Sequence, residues 1–147
     1  MNSVVTILSA MSIFLSFSSH AQVNLPCRAV EGVWSCQSNN GFGKSTKSIK
    51  FLNSIDVEVM GELNKITGVP EYTSPRLAPK FYSVTTCTEQ GLKIYRGIDP
   101  SLPSDLGVVW RFEPQKNGNN LRVAIEYGTI EKWAGDNANT YNCLKTR

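Results

Sequence analysis

Histidine is almost absent from this sequence: the single histidine is His20, within the first 21 residues. Because those residues have the features of a cleaved leader, the mature chain is expected to hold no imidazole. This excludes Ser-His-Asp and Cys-His nucleophilic sites, paired-histidine acid–base catalysis and histidine-ligated zinc or copper. We therefore predict that the protein is not an enzyme and that it uses no cofactor and no metal.

Charge is missing from the N-terminus: residues 1–21 contain no Asp, Glu, Lys or Arg, and they end in Ser19-His20-Ala21 after an apolar run. Ser19 and Ala21 place small residues at the −3 and −1 positions, which suits cleavage by signal peptidase after Ala21. The run is shorter than the roughly 20 residues that cross a bilayer, and Pro26 before Cys27 does not fit a lipidated cysteine. We predict a signal peptide at 1–21 and a single secreted or periplasmic β-domain at 22–147, with no membrane anchor after cleavage.

Charge clusters are also lacking. The formal net charge is +3, and lysine and arginine are spread from Arg28 to Arg147. Nucleic-acid-binding surfaces combine a focused basic patch with interleaved aromatic residues, and the sequence has no such pattern. We therefore predict no nucleic-acid partner, and we expect a monomer.

A sustained helical stripe of apolar residues is absent, whereas two-residue alternation recurs along the chain. Asn-Ser and Asn-Gly turns separate alternating runs, which is a strong signal of hairpins. We predict an all-β fold, a small antiparallel β-barrel or a sandwich-like domain, with about eight or nine short strands. The predicted strands are Val30–Gln37, Lys47–Leu52, Ile55–Met60, Phe81–Cys87, Leu92–Arg96, Gly107–Glu113, Leu121–Tyr127, Thr129–Trp133 and Tyr141–Lys145.

The four cysteines include no C-x-x-C pair, and an even number in an exported chain predicts two disulfides rather than a metal site. Cys36 and Cys143 each follow an aromatic residue by two positions, on the first and last predicted strands. These strands become neighbours in a closed antiparallel barrel, so we predict Cys36–Cys143 and Cys27–Cys87. The competing pairing, Cys27–Cys36 with Cys87–Cys143, remains open.

Two long segments interrupt the strand pattern. Residues 64–80 contain three prolines, and residues 97–106 contain two more. Seventeen residues without regular structure is long for a compact domain, so the first segment is either a functional loop or a connector across one end of the sheet. We take both segments as candidate contact surfaces.

Aromatic residues at alternating strand positions have two common roles: they line a ligand cavity, or they pack in the hydrophobic core. Packing in the core is the commoner of the two. The candidate binding residues combine three tryptophans with two residues of the proline-rich segment: Trp34, Tyr72, Arg76, Trp110 and Trp133.

The segment Gly32-Val33-Trp34 resembles the G-x-W motif of lipocalins, β-barrels that bind small hydrophobic ligands. The resemblance implies that Trp34 closes the floor of the barrel and that a basic residue near the C-terminus packs on it. Trp34-Ser35-Cys36 and Tyr141-Asn142-Cys143 are similar to segments of secreted inhibitors of C-type lysozyme, also small barrels. There the first-strand cysteine can pair with one near the C-terminus.

These features predict a non-catalytic exported protein that binds a small ligand or an extracellular protein. The alternative is an inhibitor of an extracellular hydrolase such as lysozyme. A glycosidase that uses two carboxylates is less favoured. Asp56 and Glu58 share one face of a predicted strand, but two-residue alternation commonly places charged neighbours on the same face.

Overall fold

The structure is a computed structural model, and it describes residues 25–41, 43–72, 81–98, 107–128 and 139–146. A 3₁₀ turn (Arg28–Val30) precedes ten strands in these residues: β1 (Gly32–Ser38), β2 (Lys44–Phe51), β3 (Asp56–Val59), β4 (Glu62–Lys65), β5 (Glu71–Tyr72), β6 (Tyr82–Thr88), β7 (Gly91–Gly97), β8 (Gly107–Pro114), β9 (Asn120–Gly128) and β10 (Asn139–Lys145). The all-β prediction is confirmed. Within the described residues, no helix has the length and apolar character needed to cross a membrane.

The strands form one antiparallel sheet, in which the first and last strands of the chain pair in the middle and the outer strands curl towards each other. Its order is β4-β3-β2-β1-β10-β9-β8-β7-β6-β5, so β1 lies between β2 and β10. The sheet closes at a seam where the edge strand β4 meets β6, beyond the two residues of β6 that pair with the short edge strand β5. There the Gly68 N–H donates to the Thr85 carbonyl at 3.1 Å, and Arg96 forms an ion pair with Glu62. The result is a nearly closed barrel, which removes most exposed strand edge.

The segment 64–80 departs from its prediction as a stretch without regular structure. β4 begins before it and enters it, and β5 lies within it. β4 is only four residues long, and its one buried side chain is the polar Asn64, so it shows no apolar alternation. Pairing of its backbone with β3 forms this strand. The remainder, 73–80, lies outside the described residues, as do 99–106, the predicted strand at 129–133 and the predicted signal peptide.

One end of the barrel, here called the floor, is closed by the 3₁₀ turn and packed with apolar side chains. Trp34 is fully buried there, and its indole N–H donates to the Val30 carbonyl at 2.9 Å. The Glu31 carboxylate accepts the backbone N–H of Phe51 at 3.2 Å, which holds the turn against β2. The same core contains Ile49, Val57, Leu92, Phe112, Leu121 and Val123.

The two disulfides are Cys36–Cys143 and Cys27–Cys87, and the predicted connectivity is confirmed. Cys36 lies directly opposite Cys143 in the register of β1 and β10. Cys27 ties the 3₁₀ turn to β6. Two such bonds are compatible with an oxidising environment.

Candidate functional site at the barrel mouth

The end of the barrel opposite the floor is called the mouth here, and polar and aromatic side chains face its interior. Residues directly opposite one another in a sheet share a face. Lys47 is opposite the buried Trp34, Tyr141 is opposite Ser38, and Trp110 is opposite the buried Ile94. Lys47, Tyr141 and Trp110 therefore all point into the barrel, one layer above the packed floor.

Lys47 lies between two aromatic rings in this layer. Its Nζ is 5.3 Å from the centroid of the Trp110 ring and 5.5 Å from that of Tyr141, within the range of cation–π attraction. Burial lowers the pKa of Lys47 below its ordinary value of 10.5, because the charged form loses part of its hydration. Among the described residues, no carboxylate forms an ion pair with it. Lys47 is thus a partly desolvated cation without a counter-anion in the described part of the chain.

A cavity of about 170 Å³ adjoins Trp110. Its lining is apolar except at the rim, where Arg96 forms its ion pair with Glu62. The Nε of Arg96 is buried and has no hydrogen-bond partner among the described residues. An engineered apolar cavity of about 150 Å³ holds benzene, so this space suits one ring. The other lining residues are Val59, Met60, Ile94 and Phe112.

Two buried hydroxyls on the inward face also have no hydrogen-bond partner in the described part of the chain: Ser45 Oγ and Thr85 Oγ1. Ser45 is opposite Cys36, and Thr85 is opposite Ile94. A buried polar group without a partner costs about 1–3 kcal/mol, so native interiors contain few of them. The interior above the floor therefore carries a stability cost that the floor does not.

The structure places the predicted binding residues in three different locations. Trp34 is in the floor with Lys145 Nζ 5.3 Å from its ring centroid, the arrangement that the lipocalin resemblance implied. Tyr72 is 52% exposed beside the seam, and Trp110 is in the mouth. Arg76 and Trp133 lie outside the described residues.

Sequence reasoning missed the charged residues of the mouth, although a signal was present. Lys47 is two residues before Ile49 and four before Phe51, so it falls in phase with the buried positions of β2. Arg96 is likewise in phase with Leu92 and Ile94 on β7. A cation in register with core positions indicates an inward charge, and inward charges are rare unless they are paired or functional.

The mouth brings charged, aromatic and apolar groups close together. Of its carboxylates in the described residues, Glu62 is ion-paired with Arg96, and Glu71 is opposite Ser83 on the same face as Arg96. No group of three or more His, Cys, Asp or Glu side chains in those residues could hold a metal ion. Lys47, which forms no ion pair with a described residue, the rings of Trp110 and Tyr141 and a ring-sized cavity remain available to a ligand.

Comparison of the chain with protein-family models, with curated proteins and with solved structures found no match in any of the three. The geometry of the mouth therefore carries the functional interpretation.

Proposed function

We propose that the protein is a non-catalytic, secreted or periplasmic binding protein for a small ligand with one compact apolar part and one acidic group. The observation that carries this proposal is Lys47, an inward-facing, partly desolvated cation next to an apolar cavity, with no carboxylate partner in the described residues.

The apolar part of the ligand fits the cavity beside Trp110. Val59, Ile94 and Phe112 surround the space with hydrocarbon, and the indole offers a flat surface for an aromatic ring. Removing roughly 120 Å² of ring surface from water gives about 3 kcal/mol at 25 cal/mol per Å². After the entropic cost of association, this contribution alone supports only weak binding.

The acidic group supplies the remaining affinity and the specificity. Lys47 has already lost part of its hydration, so an anion at its ammonium group restores a favourable interaction at little further cost. Hydrogen bonds between oppositely charged groups are about twice as strong as neutral ones. The buried Nε of Arg96 offers one more donor at the edge of the same cavity.

Two observations support the proposed secreted or periplasmic location. Two disulfides are compatible with an oxidising environment, and residues 1–21 have the pattern of a signal peptide. The hydrolase-inhibitor alternative stays a prediction, because the Cys36–Cys143 bridge agrees with that resemblance and with simple barrel closure alike.

Phenylacetate and its neutral analogue phenylacetamide test the proposal, since they share a ring and differ in charge. We expect titration calorimetry at pH 7 and low salt to show at least tenfold tighter binding of phenylacetate. Lys47→Met is expected to abolish this difference. Lys50→Met is the matched control, because Lys50 is exposed on the same strand, three residues further along, and lies opposite Glu58 on the outer face.

Filling the cavity gives a second, independent test. Val59→Phe places a ring in the space that the ligand is proposed to use, so both probes should lose binding while far-ultraviolet circular dichroism stays unchanged. Equal affinity for the two probes, or a charge preference that survives Lys47→Met, would contradict the proposed site.

A further inference from the structure

A second, larger concavity lies on the outer surface of the barrel, on the opposite side of the sheet from the mouth residues. It has a volume of about 1150 Å³ and crosses β1, β10 and β9, with the turns at 39–41 and 115–117 contributing to its lining. We call it the amide groove because six amide side chains line it: Gln37, Asn39, Gln115, Asn117, Asn120 and Asn142.

The amide groove carries positive charge without negative charge. Lys44, Lys116 and Arg122 line it, and none of its described lining residues is a carboxylate. Lys44 and Lys116 form no ion pair with a described residue, whereas Arg122 pairs with Glu113 at 2.9 Å beyond the lining. The field in the groove therefore favours an anionic ligand.

The strand register arranges four of these side chains in one row. Lys44 is opposite Gln37, Gln37 is opposite Asn142, and Asn142 is opposite Arg122. Neighbouring strands lie about 4.8 Å apart, so the two cations at the ends of the row are separated by about 14 Å. Two amides stand between them.

Of the two amides in this row, Asn142 is held by a neighbouring side chain, whereas Gln37 is not. Asn142 Nδ2 donates to Asn39 Oδ1 at 2.9 Å, and Asn39 in turn donates to the Thr140 hydroxyl. The side chain of Gln37 makes no hydrogen bond to a described residue and is exposed. An amide carries both donors and acceptors, and neighbouring sugar hydroxyls also do both, so the two groups match.

We propose that the amide groove binds an acidic oligosaccharide, a chain of sugars that carry carboxylates. The amides would hold the hydroxyls, while Lys44 and Arg122 would hold carboxylates spaced along the chain. A single-stranded nucleic acid fits less well, because it needs aromatic side chains for base stacking and the described residues of the groove lining include none. This inference does not depend on the proposed function of the mouth.

The test compares tetragalacturonate with the same tetrasaccharide after reduction of its carboxylates to alcohols. We expect calorimetry of the full-length secreted protein at fixed ionic strength to show at least tenfold tighter binding of the acidic form. Lys44→Gln and Arg122→Gln should each weaken that binding by about fivefold to tenfold and leave binding of the reduced form unchanged. Asn142→Ala should weaken both forms equally.

Two controls separate the groove from general attraction to polyanions. Lys50→Gln removes an exposed cation from the same strand and the same face as Lys44, away from the groove, and should alter binding less than twofold. Lys47→Met alters the mouth and should have no effect. An equal loss with Lys50→Gln, equal affinity for the reduced saccharide, or equally tight binding of polyphosphate of the same charge would overturn the inference.

Discussion

The floor and the mouth of this barrel each contain a lysine ammonium 5.3 Å from a tryptophan ring centroid, and the two pairs serve different ends. In the floor, Lys145 is opposite Trp34 at the end of β10, and it is exposed, so that its charge lies in water. In the mouth, Lys47 points inward beside Trp110, and burial lowers its pKa. The same pair of residue types therefore stabilises the fold in one place and leaves a cation available to a ligand in the other.

The buried polar groups of the floor also differ from those of the mouth. In the floor, the Trp34 indole N–H has the Val30 carbonyl as its acceptor. Above it, Ser45, Thr85 and Arg96 each have a buried polar atom without a partner among the described residues. Binding sites commonly accept such costs because the groups serve a ligand, while packed regions supply the stability. Three predictions test this division.

The largest effect is expected from the bridge that joins β1 to β10. The double variant Cys36→Ala, Cys143→Ala opens a loop of 107 residues, and the chain-entropy model gives about 4–5 kcal/mol for such a closure. We expect a loss of about 4 kcal/mol in the free energy of unfolding by urea. A loss below about 1 kcal/mol would show that backbone pairing alone closes the barrel.

A matched pair of tryptophan variants gives the next largest effect. Trp34→Phe leaves the Val30 carbonyl without its donor and creates a gap in a fully buried site, so we expect a loss of about 2–3 kcal/mol. Trp110→Phe replaces a half-buried indole beside an open cavity with a smaller ring, and we expect the free energy of unfolding to fall by less than about 1 kcal/mol. Urea unfolding measures both. Equal losses of stability in the two variants would contradict the distinction between a structural floor and a binding mouth.

The smallest effect concerns pH. Because the pKa of Lys47 is lower in the folded state than its ordinary 10.5, the unfolded state binds more protons between those two values. The stability of the wild type should therefore rise with pH through this window, relative to Lys47→Met, which does not titrate. We expect a change below about 1 kcal/mol, since solvent screens a partly exposed charge.

Urea unfolding of the wild type and Lys47→Met at pH 7 and pH 10.5 measures this change. The corresponding comparison with Lys50→Met, at an exposed lysine of the same strand, should show a smaller difference. A difference of the opposite sign would mean that the Trp110 and Tyr141 rings favour the charged form more strongly than burial disfavours it.

Much of the fold was predictable because strand alternation and turn chemistry are local. The hairpin of β8 and β9 around Asn117-Gly118 is one example, since Asn and Gly tolerate the backbone conformations that such turns need. Gly118 indeed has a φ of +69°. The prediction of β4 and β5 failed for the same reason: these strands pair through their backbones and carry little alternation of their own.

The all-β class and three of the hairpins followed from the amino-acid sequence alone, whereas the choice between two cysteine pairings was made only by the structure. Strand parity also contained the inward position of Lys47, although the sequence prediction missed it. The contact of Lys47 with Trp110, 63 positions away along the chain, became visible only in the folded barrel. The physical reason is that alternation assigns sides of a sheet, whereas curvature and register determine which distant side chains meet across the barrel.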